Sequence, residues 1–367
     1  MQRQSSILMV YTAMKKEENS GVNSSLNTTI SVIMPVFNAS HFLPQVMPPL
    51  LEMQEKGEIL EILVVDDCST DSSASVAAGL GARVVPSPHR SGPGAARNIG
   101  ASQARGELLW FVDADVVAHP NGAAAIRAAF KDSEVVAVFG SYDHAPPARN
   151  FASQYKNLVH HYYHQKARRE ASTFWAGCGA VRKSRFLGIG GFDVARYTRP
   201  SIEDIELGYR LREKGGRILL LRELQGKHLK RWTIRDVVFT DVIRRAVPWA
   251  RLMLTEVGLT DDLNVSKAER FRAVVAGLFF LGVFGALLKP TIWYLPAAML
   301  AIVIGVNWDF FTFLRRRKGV GFAISGLAFH QVYYLYSSAA FAWCWVEALG
   351  RRPAGPVTRS HPDGGAK

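Results

Sequence analysis

Short apolar runs alternate with alanine-rich stretches between residue 30 and about residue 226. The apolar runs are rich in β-branched and aromatic residues, as in "ISVIMPVF", "EILVVDD", "ARVVPS", "ELLWFVDAD" and "VVAVFGSY". Between them lie helix-like stretches such as "DSSASVAAGLGA" and "PGAARNIGASQARG". This alternation is typical of a mostly parallel sheet with helices on both faces. We therefore expect an α/β domain over residues 30–231, after an N-terminal extension of residues 1–29.

The pattern changes after Phe271, where three long apolar stretches follow one another. They are "FRAVVAGLFFLGVFGALL", "TIWYLPAAMLAIVIGVNWDFFTFL" and "GVGFAISGLAFHQVYYLYSSAAFAWCWVEAL", with "RRRK" between the last two. A helix needs about 20 mainly apolar residues to cross a bilayer. We predict about three transmembrane helices over residues 269–350, followed by a polar tail at residues 351–367. The chain is then a multi-pass protein of the bacterial inner membrane.

The orientation of these predicted helices is only partly determined. If all three cross, "RRRK" lies in the cytoplasm together with the α/β domain, as the positive-inside rule prefers. The tail with Arg351, Arg352 and Arg359 would then lie outside, against the same rule. We expect the catalytic domain on the cytoplasmic side, and the topology of the last stretch stays open.

Residues 232–268 join the two halves and begin with "RWTIRDVVFTDVIRRAVPWARLML". Apolar residues can form a stripe at helical spacing there, with arginines nearby: Val237, Val238, Val242, Ile243 and Val247. A basic amphipathic helix that carries Trp249 suits a membrane surface. A helix packed on the α/β domain explains the same pattern equally well, and both interpretations stay open.

Composition narrows the classes of partner. Hydrophobic residues make up 48% of the 367-residue chain and charged residues 20%, which is enough apolar sequence for a sizeable core. The formal net charge of +13 suggests phosphate, anionic-lipid or polyanion partners. Because the cationic residues are spread out and form no aromatic-basic stripe, we expect no nucleic acid partner. Cys68, Cys178 and Cys344 lack metal-ligand spacing, which argues against structural zinc and a disulfide framework.

Two aspartates, Asp113 and Asp115, follow directly after the apolar run "LLWFV". In open α/β sheets ligands bind beyond the carboxyl ends of the strands, where Asn38, Asp66 and Asp67 are also expected. If the chain stays extended, residues i and i+2 point the same way, and two carboxylates repel unless a cation lies between them. Mg²⁺ and Mn²⁺ accept such carboxylates together with phosphate oxygens. The alternative is that Asp115 only starts the turn into "HPNG".

Two further segments carry candidate chemistry. In "SIEDIELGYRLREKGG", Asp204 can be a general base that removes a proton from an acceptor hydroxyl. Ser201 and Asp204 equally match a capping box, in which Asp204 would only satisfy backbone donors. The segment "SGPGAARNIG" is a glycine-rich turn before a helix, where backbone donors and Arg97 can face a phosphate. Its glycine spacing departs from the dinucleotide fingerprint, which speaks against an NAD-dependent oxidoreductase.

Five motifs occur in the order seen in inverting family-2 glycosyltransferases of the GT-A fold, which the chain resembles from about Ser31 to Trp232. They are "SVIMPVFN", "LVVDDCSTD", "GPGAARNIG", "FVDAD" and "IEDIELGYRLREKG". The resemblance implies a Rossmann-like α/β domain that binds a nucleotide-sugar donor, most commonly a UDP-sugar, with a divalent cation. It implies a donor site formed by Pro35, Phe37, Asn38, Asp66, Asp67, Arg97 and Asp113. Asp115 would be a metal ligand, and Asp204 would be the base of an acidic pair with Glu203.

The same resemblance points to acceptor-side residues. Processive members carry QxxRW after the base, whereas this chain has "HLKRW", with Arg231 and Trp232 in register. His228 replaces the glutamine of this motif, and the replacement speaks against a processive polysaccharide synthase. His228 is instead a candidate contact to the metal or the diphosphate, or a structural histidine. The segment "STFWAGCGAVRK" resembles the strand beneath the family's acceptor site, where Trp175 and Gly177 could contact the acceptor. In "HHYYH", His160 and His164 share a helical face at i, i+4, a spacing that can bind zinc. Because no HExxH and no third ligand accompany them, we expect an acceptor-side or membrane-near helix instead.

The expected function is therefore a membrane-anchored, inverting, metal-dependent glycosyltransferase. It would move a sugar from a nucleotide-diphosphate sugar to a hydroxyl of a lipid-linked or membrane-associated acceptor, in glycan or glycolipid biosynthesis. The alternatives are a polyprenyl-phosphate glycosyltransferase, a polysaccharide synthase-like enzyme and an NAD-dependent oxidoreductase. Many polyprenyl-phosphate enzymes attack with a phosphate and need no base, so the "IED" sequence favours a hydroxyl acceptor. The sequence does not identify the sugar, the acceptor or the oligomeric state.

Overall fold

The computed structural model of the chain describes residues 28–350, and within this range nine strands form one sheet. The apolar runs noted in the sequence are confirmed as strands β1, β2, β3, β4 and β6. The strands are β1 (Ile30–Val36), β2 (Glu61–Asp66), β3 (Arg83–Pro86), β4 (Leu108–Val112), β5 (Val116–Ala118), β6 (Val135–Tyr142), β7 (Glu170–Ala171), β8 (Cys178–Arg182) and β9 (Arg217–His228). Most of the predicted extension, and the whole predicted tail, lie outside the described residues.

The sheet is mixed, with the strand order β3-β2-β1-β4-β8-β6-β9-β5 and β7 paired to β9. β1 is parallel to β2 and β4, and β2 is parallel to β3, so the carboxyl ends of these four strands meet at one edge. β8 is antiparallel to β4 and β6, because its first residue, Cys178, pairs with Val112 at the end of β4. β5 and β7 are antiparallel to β9. β6 and β9 are parallel as well, so within residues 28–350 the sheet has four parallel and four antiparallel strand pairs, rather than the mostly parallel arrangement expected.

Seven α-helices of the described chain accompany this sheet, and an apolar core lies between them and the strands. Trp110 and Phe111 of β4 are completely buried. Phe111 packs against Phe174, Phe186 and Phe192 with ring centroids 5.4–6.4 Å apart. Burying one such side chain contributes about 1.5–3 kcal/mol to the stability of the fold. The packing of Trp110 and Phe111 therefore holds the end of β4 in place. The helices are α1 (Leu43–Glu55), α2 (Ser73–Gly79), α3 (Pro93–Gln103), α4 (Gly122–Ala129), α5 (Phe151–Lys166), α6 (Lys183–Gly188) and α7 (Glu203–Glu213).

The segment after β9 packs on the α/β domain by one face and exposes the other. It consists of α8 (Ile234–Phe239), the π-helical segment π1 (Thr240–Ala246), α9 (Val247–Leu252) and a second π-helical segment, π2 (Met253–Val257). Val237 is buried, whereas Phe239 and Ile243 are 51% and 53% exposed. Trp249 is buried against Ile202 and Ile205, and is therefore not available as a membrane anchor. The packed face agrees with the interpretation of a helix on the α/β domain, whereas the interpretation of a membrane-surface helix stays a prediction.

The C-terminal half is helical but does not form three comparable spans. It contains α10 (Lys267–Leu288), α11 (Tyr294–Val306), α12 (Trp308–Lys318) and α13 (Val320–Gly350). Within residues 28–350, only α10 is by itself long and apolar enough to cross a membrane. The pair Pro290–Val306 and Trp308–Lys318 qualifies jointly but is bent by 68°, as in a broken span or a re-entrant loop. α13 does not qualify, because polar residues such as the buried His330 and Gln331 interrupt its apolar sequence. The structure therefore does not support the predicted multi-pass arrangement.

Candidate active site

The predicted donor-side residues lie at the carboxyl ends of β1 and β2. The backbone N–H of Asp67 donates to the carbonyl of Val36 at 2.8 Å, which holds the two strand ends side by side. Pro35 lies inside β1, in register with Val65 of β2. Asn38 adopts a left-handed conformation with φ of 50°, and its Oδ1 accepts from the backbone N–H of Thr70 at 2.8 Å. The topology thus brings these residues to one edge, as the sequence predicts.

The aromatic ring of Phe37 and the two aspartates after β2 have different surroundings. The guanidinium of Arg90 lies over the Phe37 ring, 3.8 Å from its centroid. The two carboxylate oxygens of Asp67 accept from the backbone N–H groups of Ser91 and Gly92, each at 2.8 Å. Asp67 therefore supports the glycine-rich turn before α3, where Gly92 has φ of 84°.

Asp66 retains a free acceptor. Its Oδ2 accepts from the backbone N–H of Ser69 at 3.3 Å, but its Oδ1 is buried without a hydrogen-bond partner among residues 28–350. Buried polar atoms are nearly always paired, and an unpaired one costs about 1–3 kcal/mol. Asp66 can therefore accept a hydrogen bond from a bound ligand, which fits the base contact that the family resemblance implies.

Asp113 and Asp115 lie in a tight turn between β4 and β5. The backbone N–H of Val116 donates to the carbonyl of Asp113 at 3.0 Å, and the N–H of Asp113 donates to the carbonyl of Gly177 at 3.2 Å. The chain is not extended from Asp113 to Asp115, as the sequence analysis supposed, because it turns here into β5, the edge strand that pairs with β9. The carboxylate of Asp113 faces Arg97, and that of Asp115 faces His228.

Arg97 connects the donor side to the acidic pair. It lies on α3 with 4% of its surface exposed. Its Nη2 donates to Oδ1 of Asp113 at 2.5 Å, and its Nη1 is 3.8 Å from Oε1 of Glu203. Burial raises the pKa of Glu203, and the negative charge of Asp204 acts in the same direction. One buried guanidinium thus neutralises carboxylates from two parts of the site.

Asp115 and His228 form the second charged contact. Oδ2 of Asp115 is 3.5 Å from Nε2 of His228, the last residue of β9. The His228 ring stacks on Tyr142 with centroids 4.1 Å apart and planes 4° apart. Burial by itself would raise the pKa of Asp115, but the nearby His228 and Lys230 outweigh it and lower this pKa. The carboxylate of Asp115 is therefore ionised at neutral pH.

This pair fits a divalent cation that shares its other ligands with a substrate. A carboxylate oxygen and an imidazole nitrogen are both metal ligands, and Mg²⁺ typically adds substrate phosphates and water to one or two carboxylates. Within residues 28–350, no group of three or more His, Cys, Asp or Glu side chains could hold a metal ion. Asp115 and His228 would therefore need the diphosphate of a donor to complete a metal site.

The capping box predicted for Ser201 does not form. Helix α7 begins at Glu203, and the residue before it, Ile202, makes no side-chain cap. The hydroxyl of Ser201 instead donates to the carbonyl of Arg244 at 3.0 Å. The sequence could not show this contact, because its partner lies 43 residues further along the chain.

Asp204 is fixed by the segment that leads into β8. Its Oδ2 accepts from the backbone N–H of Ala176 at 3.1 Å, and its Oδ1 accepts from the N–H of Ile205 at 2.9 Å. Ala176 lies between Trp175 and Gly177, the residues predicted for the acceptor side. The carboxylate is thus held at the N-terminus of α7, against the acceptor-side segment.

A cavity of about 570 Å³ lies beside Asp204. Trp175, Trp232 and His228 line it, whereas Arg231 is exposed and does not. A Cβ on Gly177 would lie 2.4 Å from Cζ2 of Trp175, so Gly177 makes room for this indole. Helices of the C-terminal half complete the wall with Ala273, Val274, Gly277, Ser337 and Phe341.

Among the residues of this cavity, the sequence analysis did not assign Tyr142 and Arg245, and it placed His160 only on an acceptor-side or membrane-near helix. For His160, the i, i+4 spacing to His164 is the feature of the sequence that points to the site. The two rings stack on α5 with their centroids 3.8 Å apart. Burial lowers both pKa values, that of His164 to about 4, so both rings are neutral at pH 7. For Tyr142, no pattern in the sequence points to the site. Arg245 follows Arg244 directly, and the sequence does not distinguish the two.

The sheet topology and the acidic residues at its carboxyl edge define a GT-A-type α/β domain. Residues 31–189 match the profile of Glycosyl transferase family 2, so this part of the chain is a family-2 glycosyltransferase domain. A mannosyltransferase from Pyrobaculum calidifontis, solved in complex with GDP-Man and Mn²⁺, shares the fold. Its TM-score is 0.52 at 17% identity, over 86% of this chain and 87% of that one.

Curated relatives match shorter parts of the chain. An uncharacterized glycosyltransferase of Haemophilus influenzae is 35% identical over 91 residues, which is 23% of this chain and 36% of the relative. The pre-mycofactocin glycosyltransferase of Mycobacterium tuberculosis is 28% identical over 226 residues, which is 57% of this chain and 46% of the relative. The chain thus covers less than half the length of each of these relatives.

Proposed function

We propose that the protein is an inverting glycosyltransferase that uses a nucleotide-diphosphate sugar, with UDP-sugars as the first candidates. The acceptor is a hydroxyl of a lipid-linked or membrane-associated molecule. The observation that carries the proposal is the position of Asp204. It lines a cavity large enough for an acceptor, while Arg97 connects the adjacent Glu203 to Asp113 on the donor side.

Asp204 is the catalytic base in this proposal. Hydrogen bonds from the N–H groups of Ala176 and Ile205 fix its carboxylate, so the geometry is set before the acceptor binds. Asp204 takes the proton of the acceptor hydroxyl as the oxygen attacks the anomeric carbon of the donor. A single in-line displacement inverts the configuration at that carbon. General base catalysis of this kind contributes about 10²–10⁴-fold to the rate.

The donor side binds and orients the nucleotide. Asp66 offers its unpaired Oδ1 to the base, and Arg97 holds Asp113 beside the sugar. Asp115 and His228 would hold the Mg²⁺ or Mn²⁺ ion. When bound, this ion neutralises the charge that develops on the departing diphosphate.

The exposed apolar surface of the helical half supports a membrane-associated acceptor. Leu281, Phe284 and Leu287 of α10 are 67%, 61% and 76% exposed, and Trp293 is 67% exposed. Contiguous exposed apolar surface of this kind is characteristic of a membrane or partner contact. α10 also contributes Val274 to the cavity wall, so this helix connects the cavity to the apolar surface. We place the catalytic domain on the cytoplasmic side of a bacterial inner membrane.

Nucleotide binding gives the first test. The detergent-purified protein is titrated with UDP, GDP, dTDP and NADH, each with Mn²⁺ or with EDTA, and its thermal midpoint is recorded. A ligand that binds only the folded state stabilises it by about 2.7 kcal/mol at 100 times its Kd. We expect one nucleoside diphosphate to raise the midpoint, and EDTA to abolish the effect. Stabilisation by NADH alone, or by none of the four, contradicts the proposal.

Asp204→Asn tests the base. Asparagine keeps the size of the side chain and one acceptor, so the variant should fold and bind the donor normally. Its sugar transfer to a membrane lipid extract should fall about 10²–10⁴-fold. Asp132→Asn, which removes an exposed carboxylate paired to Arg217, is the matched control and should transfer normally. Wild-type turnover by Asp204→Asn would exclude its role as base.

A further inference from the structure

We propose that Arg245 binds an anionic group of phosphate type on the acceptor, at a site inside the cavity beside Asp204. The inference rests on the proposed function and specifies the chemistry of its acceptor. An acceptor of this class combines a hydroxyl, a phosphate-type group and an apolar chain.

Arg245 reaches the cavity from π1, the π-helical segment that joins α8 to α9. Single π-helical turns inside helices are frequent at functional sites. The adjacent Arg244 does not line the cavity, and its guanidinium lies 5.7 Å from the centroid of the Phe239 ring. The backbone of π1 thus gives two neighbouring arginines different surroundings, and only one of them faces the candidate acceptor site.

The other cations of the cavity wall are already engaged. Lys156 donates to Asp241, which also accepts from the hydroxyl of Tyr336 at 2.9 Å. Arg270 donates to the carbonyl of Thr260 at 3.2 Å. Arg245, in contrast, has no carboxylate partner within residues 28–350. Its charge nevertheless acts on the buried wall, since it contributes to the low pKa values of His160 and His164.

Two unpaired donors line the same cavity. Oγ1 of Thr173 and Nε1 of Trp232 are buried without hydrogen-bond partners in the described part of the chain, and both residues belong to the wall. Thr173 is 1% exposed and Trp232 is 9% exposed. Buried donors are nearly always satisfied by protein, water or ligand. A phosphate-type group offers several strong acceptor oxygens, which suits a cavity that has a cation without a carboxylate partner and unpaired donors in its wall.

The diphosphate of the donor is the other possible anion, but the structure favours the acceptor. The donor side has its own cation in Arg97, and neither Arg97 nor Asp115 lines the cavity that Arg245 lines. Arg245 shares its cavity with apolar residues of the helical half, among them Val274 and Phe341. A lipid can therefore place its chain along these helices, its phosphate at Arg245 and its hydroxyl towards Asp204.

The test compares two lipids that differ in the phosphate. The probes are 1-oleoyl-lysophosphatidic acid and 1-monooleoylglycerol, added to the full-length protein in a nonionic detergent, with tryptophan fluorescence of the cavity as the readout. Charge-assisted hydrogen bonds contribute about 1.5–3 kcal/mol, which corresponds to about 10–100-fold in Kd. We expect the wild type to prefer the phosphate-bearing lipid by at least about tenfold, and Arg245→Gln to lose this preference. Arg244→Gln should retain it, and Arg245→Lys should retain part of it.

Nucleotide titration distinguishes the donor diphosphate from an acceptor phosphate as the anion that Arg245 binds. It also tests the proposed function separately from the acceptor site. Arg245→Gln should keep the wild-type stabilisation by a nucleoside diphosphate with Mn²⁺. If that stabilisation is lost, Arg245 serves the donor diphosphate, and the acceptor site is refuted while the proposed function stands. Equal affinity of the wild type for the two lipids also refutes the acceptor site. If Arg245→Gln does not fold, the test rests on the lipid preference of the wild type and of Arg245→Lys, which should retain only part of the wild-type preference for the phosphate-bearing lipid. A wild type that binds no nucleotide contradicts the proposed function itself.

Discussion

Removing Arg97 should destabilise the protein in a manner that depends on pH. The side chain is 4% exposed and faces Asp113 and Glu203, so Arg97→Met keeps the apolar stem but leaves two carboxyl groups without their cation. Removing one partner of a buried ion pair costs about 3–5 kcal/mol. We expect the lower end of this range, about 3 kcal/mol, because the side chain of Asp113 is 31% exposed and water can partly replace the cation.

The pH dependence follows from the two carboxyl groups that remain. Burial already raises the pKa values of Asp113 and Glu203, and both rise further when the guanidinium that opposes this effect is removed. A carboxyl group with a raised folded-state pKa destabilises the fold while it is ionised, and this penalty disappears as the pH falls through that pKa. The deficit of Arg97→Met relative to the wild type should therefore be largest near pH 7.5 and smaller at pH 5.

Thermal unfolding in detergent, followed by tryptophan fluorescence at the two pH values, measures this effect. For a domain of about 200 residues, 1 kcal/mol shifts the midpoint by about 2–4 °C, so we expect a loss of about 6–12 °C at pH 7.5. The control is Arg105→Met. Arg105 is 66% exposed, and its buried partner Glu61 keeps the hydrogen bonds from the Ser31 hydroxyl and from the backbone N–H of residue 105, so we expect a smaller loss of about 1 kcal/mol. Adding Asp113→Asn to Arg97→Met should restore part of the loss. Equal deficits at pH 5 and pH 7.5, or equal losses in Arg97→Met and Arg105→Met, would refute the reasoning.

Two further predictions concern the cavity wall. Gly177→Ala would place a Cβ 2.4 Å from Cζ2 of Trp175, so the indole must move, at a cost of about 1–3 kcal/mol. Its thermal midpoint and tryptophan emission should both change, whereas Gly188→Ala, where a Cβ meets no atom within 4 Å, should change neither. Burial and the charge of Arg245 lower the pKa of His164 from 6.5 to about 4. The neutral ring therefore contributes up to about 3 kcal/mol to the free energy of unfolding above pH 6.5, and this contribution is lost as the pH falls through 4. His164→Gln should thus lose less of its thermal midpoint than the wild type between pH 7 and pH 4.5, and equal losses would contradict the assignment.

The sequence was sufficient for features that depend on nearby residues. Strands β1 to β4 and β6 could be predicted because each is a short apolar run between turn-forming residues, whereas β5, β7 and β9 were not predicted. The prediction of a glycine-rich turn before Arg97 is also confirmed, since Gly92 has the positive φ that glycine adopts readily. The acidic residues at the strand ends could be grouped because the carboxyl ends of parallel strands share one edge.

Features that depend on distant partners could not be predicted. The turn at Asp113 is imposed by the pairing of β5 with β9, more than a hundred residues away in sequence. The capping box failed because Ser201 bonds to Arg244 instead. Hydropathy overestimated the membrane spans for a similar reason. The prediction relied on the length of apolar stretches, whereas α13 carries a polar stripe of His330, Tyr333 and Tyr334 that makes hydrogen bonds within the protein.

That polar stripe connects the helical half to the candidate active site. His330 of α13 hydrogen-bonds to the hydroxyls of Tyr155 and Tyr163 on α5, at 2.7 Å and 3.0 Å. Tyr163 also donates to Glu269 of α10 at 2.8 Å. α5 carries His160 in the cavity wall, so a helix that shapes the cavity beside Asp204 is held by buried hydrogen bonds to α10 and α13. Buried polar networks are costly when only partly satisfied. The C-terminal helices are therefore a structural part of this cavity, and any role they have as an anchor comes in addition to this one.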